Sequence, residues 1–309
     1  MSTKALSTNV AKANPAAAYI ASLRSDVGRA GMKSRLNAVA RLMGQTTWRS
    51  VNWSTLNAAN VQALIAKMTG APATINTTLA ALRGVAKSAW RLKIIDRDTL
   101  DQIRDIAPTR GSRLPAGRDV PVDERKALLK SCKGSDRHID KRDAAMLAVA
   151  MQTGMRREEL CRLTVSCLKP SGDQVAILVR GKGNKQREVY VSKGAAAALL
   201  AWVNTRGRDG GALFCYVTRG NRIVHGHHIS TVAATKILKK RQKASGVSKV
   251  GWHDLRRTVA GDLMDAGVDI ATTAALLGHS DVRTTQKYDR RPVATRKAAA
   301  AKIDVPFNE

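Results

Sequence analysis

Apolar residues recur at helical spacing through the first third of the chain, and nowhere in it do they alternate as a strand requires. Asn14 and Pro15 supply a cap and a first-turn proline, so a helix is predicted over residues 16–23. Leu36, Val39, Ala40 and Met43 share one face of a second helix over 32–43, leaving Lys33, Arg35 and Arg41 outside. Trp48 and Trp53 flank a loop, and Ser54 or Thr55 starts a helix running to 68. A long helix follows over 75–92 and a short one over 97–106. The expectation is a helical bundle over 1–106, with both tryptophans in its core beside apolar neighbours.

The pattern breaks at 107–121, APTRGSRLPAGRDVP, whose proline, glycine and arginine read as an interdomain linker. Helices are predicted again over 122–132 and 140–152. Alternating runs at 175–179 and 187–191, joined through GKGNKQ, predict a two-stranded hairpin with Lys182 and Lys185 at its tip. Further helices are expected at 195–204 and at 228–244, the latter strongly basic through Lys236, Lys239, Lys240 and Arg241. Leu255, Val259, Leu263 and Met264 mark another, and 270–277 one more, stopped by Gly278, with Ser280 or Asp281 capping a short helix beyond. The fold class is therefore mainly α with a small β-sheet in the C-terminal domain (α+β): a second domain over 122–292 and a tail over 293–309 ending in Val305-Pro306-Phe307. Residues 1–13 carry no pattern.

Charge sharpens this picture. The chain has 309 residues and a net charge of +29. Residues 1–112 hold 16 lysines and arginines against 5 acids, and the remainder 37 against 19, so no single tail carries the excess. Cation spread over two domains points to a polyanionic partner, nucleic acid before lipid. No run approaches the ~20 apolar residues of a membrane span, and a cytoplasmic protein is expected. Cys132, Cys161, Cys167 and Cys215 lack paired spacing and read as reduced packing residues. His225, His227 and His228 have no carboxylate or cysteine at ligand spacing, so neither metal nor cofactor is expected.

Candidate chemistry collects in residues 251–288. His253 and Arg256 stand three apart and would share a helix face on which a phosphate could sit. Tyr288 follows His279 by nine positions, which one unbroken helix would point to opposite sides. The break after Gly278 lets them converge. Alone, each residue has a plainer reading, a satisfied core histidine or a surface tyrosine.

HDLRR, LLGHS and a tyrosine nine residues on resemble the C-terminal signature of the tyrosine recombinases, the phage integrase family. Thr153-Gly154-Met155-Arg156-Arg157-Glu158-Glu159-Leu160 resembles the family's TGxRxxEL segment, and Val179 to Lys185 its lysine-bearing hairpin. Each pattern is weak alone; their order is specific. The match covers the C-terminal two thirds, whereas the N-terminal third agrees only in length, helical character and charge.

The resemblance implies a two-domain C-shaped clamp, a helical core-binding domain and a catalytic domain closing on double-stranded DNA with inverted-repeat core sites. It leaves little room for a separate arm-binding domain. It implies a homotetramer on DNA from chains monomeric in solution, with accessory DNA-bending proteins as further partners and the tail docking on a neighbour. The catalytic set would be Arg156, Lys182, His253, Arg256, His279 and Tyr288, working without cofactor. A phenol, with an ordinary pKa near ~10, must shed its proton to attack a phosphodiester, and two guanidinium forks could meet the charge that develops. Tyr288 would be the nucleophile and Lys182 the donor to the leaving 5′ oxygen. His253 could be base or phosphate ligand; His279 could bond phosphate or orient the tyrosine. Glu159 and Asp254 would position neighbouring groups, and Arg257 stands where many members carry a second histidine.

For DNA contacts beyond that set the candidates are Arg83, Lys87 and Arg91, spaced by four on one helix stripe, then Arg110, Arg113 and Arg118, Lys185, Lys239 and Arg257. A solvated face explains the stripe equally well. The expected function is site-specific recombination through a 3′-phosphotyrosine and a Holliday junction, integrating or excising a phage or mobile element. Alternatives are chromosome-dimer resolution, a telomere resolvase or type IB topoisomerase, and a DNA-binding regulator with dormant cleavage chemistry.

Overall fold

The computed structural model describes residues 14–111, 117–134, 136–181, 185–279, 281–286, 288–289 and 302. It divides into two compact units, Met1–Leu114 and Pro115–Glu309.

The first unit is helical: α1 (Pro15–Ser22), α2 (Asp26–Leu42), α3 (Ala58–Ala66), α4 (Pro72–Arg91) and α5 (Arg97–Asp105). Asparagine, serine and aspartate set most starts. Asn14 Oδ1 accepts from the Ala16 and Ala17 amides, Asn57 Oδ1 from Asn60 and Asp96 Oδ1 from Thr99. The other helices gather round α4, whose Leu79, Leu82 and Val85 pack with Leu36, Val39, Val61, Leu100 and Ile103. Both tryptophans are core: Trp48 and Trp53 are buried, and Trp53 Nε1 donates to Trp48 O at 3.0 Å.

Two boundaries differ from expectation. α2 begins six residues early because Ser25 Oγ accepts from the Gly28 amide; Gly28 and Gly31, poor helix formers, hide that start in the sequence. Ser54 and Thr55 belong to a 3-10 turn capped by Asn52, and α3 starts only after Asn57. At the unit's end, Asn76 exchanges hydrogen bonds with the Thr109 backbone at 3.0 and 2.8 Å.

The second unit opens with Arg118 donating to Glu124 and to the Ser248 and Lys249 carbonyls, so that guanidinium is held by protein. Then come α6 (Val122–Lys130), α7 (His138–Thr153) and α8 (Arg157–Cys161), and an antiparallel sheet of β1 (Leu168–Ser171), β2 (Gln174–Arg180) and β3 (Gln186–Val191). Val175 pairs with Val191 and Ile177 with Val189, which turns the apolar set of both strands inward. α9 (Lys193–Arg206) packs on α7, burying Trp202 and Leu199 against a core that includes Met146, Leu147 and Leu160. β4 (Cys215–Val217) and β5 (Ile223–His228) form a second, two-stranded sheet, followed by α10 (Thr231–Ser245), α11 (Trp252–Asp265), α12 (Ile270–Leu277) and α13 (Arg283–Gln286).

β1 and the second sheet were not expected. Pro170 argues against a strand and is tolerated at a sheet edge, and Ile223–His228 has no apolar alternation to betray it. His228 Nδ1 hydrogen-bonds the Cys161 carbonyl at 3.0 Å. Arg241 corrects another reading. It is buried, not part of a basic face, because it falls on the inward stripe of α10 with Ile237 and Leu238. There it meets Asp140 and Asp143 at 2.5 Å each and the Ser131 carbonyl at 2.7 Å. Among the described residues no helix is long and apolar enough to cross a membrane.

Candidate active site

The site is assembled at the ends of helices. α7 stops at Gly154, which adopts the left-handed conformation (φ 59°), where a Cβ would lie 2.6 Å from Leu277. This turn leaves Arg156 extended at the head of α8. Glu159, one turn on, accepts from the Arg156 amide at 2.9 Å and from Arg156 Nη1 at 2.9 Å, fixing backbone and guanidinium with one carboxylate.

His253 and Arg256 stand one turn apart on α11. Asp254, between them, caps the helix: Oδ2 accepts from the Gly251 amide at 2.8 Å and Oδ1 from Arg118 at 3.2 Å. Arg256 is almost fully buried and donates to Gly154 O at 2.7 Å and Leu277 O at 2.8 Å. Arg156 and His253 join it in lining an open cleft of about 780 Å³, with Arg157, Lys239 and Lys249 on its walls.

α12 ends at Gly278, left-handed at φ 69°, and the chain turns His279 back towards α11. His279 Nδ1 shares a 2.7 Å hydrogen bond with the buried Thr285 hydroxyl on α13. Tyr288 follows, buried with Val259, Met264 and Leu277. Its phenol shares a 2.8 Å hydrogen bond with His253 Nε2, its ring centroid lies 6.1 Å from that of His279, and the Arg257 guanidinium stands 5.4 Å over its face. The break between His279 and Tyr288 thus brings both to the arginines within one chain.

The site is cationic, and its titrating groups respond. Partial burial, with Arg256, Arg257 and Arg156 close by, holds His253 below the usual histidine range. Partial burial, then Arg256 and Arg156, push His279 down to about 4. Burial, then Arg156, lowers Arg256 to about 10, which leaves it charged at neutral pH. Burial alone would raise Glu159; hydrogen bonds from Arg187 and Arg156 hold it below the ordinary carboxylate range. Both histidines are therefore neutral at pH 7, and His253 has a ring nitrogen able to take the phenol's proton.

A pH dependence follows. Folding lowers His279 from 6.5 to about 4, so between those values the unfolded chain binds more protons. The stability this group contributes is complete above about pH 6.5 and is lost as pH falls towards 4. Between pH 7 and 5 the melting temperature is expected to fall more steeply for the native chain than for His279→Asn. Parallel curves would contradict this.

Comparisons with known proteins agree with the geometry. Residues 118–293, more than half of the chain, match the model of the phage integrase family. The chain is a tyrosine recombinase of that family. The recombinase is 32% identical over 249 residues to the tyrosine recombinase XerC of Azotobacter vinelandii, covering 76% of each chain. It is 38% identical over 150 residues to XerC of Corynebacterium glutamicum, where the match spans 48% of this chain and 46% of that one, about half its length. Its fold is that of the XerH site-specific recombinase bound to palindromic difH substrate (TM-score 0.64, 19% identity, 88% of this chain and 79% of that one). It also matches a lambda integrase dimer bound to a COC′ core site (TM-score 0.60, 17% identity, 89% and 75%). As its family implies, the recombinase is an enzyme of site-specific DNA recombination.

Of the expected catalytic positions the structure brings together Arg156, His253, Arg256, His279 and Tyr288. Lys182 lies outside the described residues; of its described neighbours, the Gly181 amide donates to Lys185 O at 2.7 Å, and a Cβ on Gly181 would lie 3.6 Å from Glu159. Of the expected DNA contacts, Lys87, Arg91, Arg110, Lys185 and Lys239 are exposed, and Arg113 lies outside the described residues. Arg83 is half-buried. It donates to the Arg104 and Ile106 carbonyls at 2.8 and 2.5 Å, so it caps the end of α5. The tail over 293–309 falls outside the described residues except Lys302. Arg187 and Thr285 were missed: a strand arginine and a lone threonine carry no motif of their own.

Proposed function

We propose that Tyr288 attacks a DNA phosphodiester to form a 3′-phosphotyrosine, freeing a 5′ hydroxyl that a partner strand's hydroxyl later replaces through a Holliday junction. The covalent bond conserves the energy of the phosphodiester, so no ATP is required to rejoin it. His253 takes the phenol proton, while Arg156 and Arg256 meet the charge on the phosphate oxygens. His279, steadied by Thr285, binds a phosphate oxygen, and Lys182 protonates the leaving 5′ oxygen. The observation that carries this reading is the 2.8 Å hydrogen bond joining the phenol to a histidine one helical turn from a buried arginine.

The substrate is double-stranded DNA with inverted-repeat core sites, bound by both domains in the cytoplasm. Chains monomeric in solution assemble as a tetramer on DNA, helped by DNA-bending proteins, with the tail over 293–309 docking on a neighbour. Integration or excision of a phage or mobile element is the favoured role. Chromosome-dimer resolution stands beside it because XerC and XerD proteins are prominent among the relatives.

Sequencing the DNA fragments left covalently attached to the protein tests this. One recurrent core site, joined through its 3′ phosphate, is expected; element ends favour integration and a single chromosomal locus favours dimer resolution. An absence of attached DNA leaves a binding protein with dormant chemistry. Charge adds a second expectation. With six to ten phosphate contacts, affinity should fall by ~10³–10⁵ between about 50 and 200 mM salt, and a salt-independent affinity would sink the electrostatic part of this reading.

A further inference from the structure

A helix leaves its last carbonyls without intrahelical partners and gathers partial negative charge at that end. At the end of α12 three consecutive carbonyls each accept from a different arginine. Leu276 O takes Arg187 Nε at 3.0 Å, Leu277 O takes Arg256 Nη2 at 2.8 Å, and Gly278 O takes Arg156 Nη2 at 2.9 Å. Two of these arginines belong to the proposed machinery. The third does not.

Arg187 sits on β3, opposite Val179, five positions after Lys182 in the chain. Its two terminal nitrogens straddle the carboxylate that holds Arg156, with Nη1 3.2 Å from Glu159 Oε1 and Nη2 2.8 Å from Oε2. The side chain is 13% exposed, against 41% for Arg156, so Arg187 faces protein where Arg156 opens to the cleft. It also lies under Gly278, where a Cβ would come within 2.7 Å of Nη1, and the next residue is His279.

A carboxylate gripped on both oxygens by one guanidinium has its plane fixed, and a second arginine can then take only what remains. With Arg187 in place, Glu159 reaches the Arg156 guanidinium through Oε1 alone, its other oxygen taking the Arg156 amide. Without Arg187, Glu159 is free to turn and pair with Arg156 on both oxygens, drawing it from the cleft and neutralising charge a phosphate would need. The carbonyl of Leu276 would lose its donor in the same step.

We infer that Arg187 is a positioning residue of the recombinase: through Glu159 it aims the Arg156 guanidinium, and through Leu276 it sets the helix end from which His279 projects. It does this without contacting DNA. The inference rests on the reading of Arg156 and His279 as phosphate-binding groups.

The test uses the full chain and a nicked duplex carrying the recovered core site, with Arg187→Ala and Arg187→Lys beside the native protein. Equilibrium binding is expected to stay within about threefold, while single-turnover formation of the covalent adduct falls about 100-fold in the alanine variant, the scale of an ångström's misplacement. Lysine, which cannot span both oxygens and the carbonyl, should restore only part of the rate. Millimolar guanidinium ion should speed the alanine variant and leave the native protein unchanged, a response that a mere staple between β3 and α12 would not give. Arg187→Ala with Glu159→Gln should cost no more than the worse single change, because the two act through one another.

A folded alanine variant that cleaves within about threefold of native, or whose loss lies wholly in DNA binding, overturns the inference. Should that variant not fold, the lysine variant decides: unchanged binding with at least about tenfold slower cleavage supports the inference, and native cleavage overturns it. A native protein that forms no adduct fails the proposed function instead, before Arg187 is in question.

Discussion

Tyr288→Phe is expected to abolish covalent capture of DNA while leaving DNA binding and folding close to native. The change removes one oxygen. The ring keeps its packing on Val259, Met264 and Leu277 and the guanidinium of Arg257 over its face. What is lost is the 2.8 Å hydrogen bond to His253, worth about 0.5–1.5 kcal/mol net. Water can replace it, because His253 is exposed on the cleft side. Chemistry is a different matter, since phenylalanine has no atom to attack phosphorus and the adduct rate should drop by at least about 10⁴-fold. The measurement is denaturing electrophoresis of protein mixed with labelled, nicked core-site DNA. An adduct of native yield from the variant would place the nucleophile elsewhere.

Arg256→Ala should do the second-largest damage, on two separable scales. In the cleft it removes a permanently charged donor from a water-poor position, which should slow cleavage about 10³-fold. In the fold it strips the Gly154 and Leu277 carbonyls of their donor, at about 1–3 kcal/mol for each buried group left unsatisfied. Arg256→Lys separates the scales. A lysine amine keeps N–H donors for both carbonyls, but it has no planar fork for phosphate oxygens, and burial that brings the arginine down to about 10 would take an ammonium lower still, towards its uncharged form. The lysine variant is therefore expected to recover much of the melting temperature and little of the cleavage rate. Equal recovery of both would mean that Arg256 serves the fold alone.

Tyr288 and Arg256 were legible in the sequence for local reasons. The three-position step from His253 to Arg256 fixes a shared helix face, and Gly278 stops α12 because few other residues adopt its φ of 69°. The hairpin was legible too, since alternation over 175–179 and 187–191 survives in β2 and β3 as an inward apolar row. Each signal depends on neighbours within a turn or two of chain. β1 and the β4–β5 sheet lack such signals: one carries a proline, and the other has exposed histidines where apolar residues would alternate.

Basic residues mark where reading from sequence stopped. Arg83, Arg187 and Arg241 look like Lys87, Lys185 and Lys239 in a chain with 53 lysines and arginines. Arg83 caps α5 from α4, Arg241 closes on two aspartates about a hundred positions away, and Arg187 meets Glu159 and Leu276 from opposite directions along the chain. The sequence by itself determined the helices, the turns that end them and the family of chemistry, because those rest on spacing and backbone preference. Which cations turn inward, and which helix end they hold, was decided only by tertiary structure: a guanidinium is stable in the interior only where distant segments deliver the carboxylates and carbonyls that satisfy it.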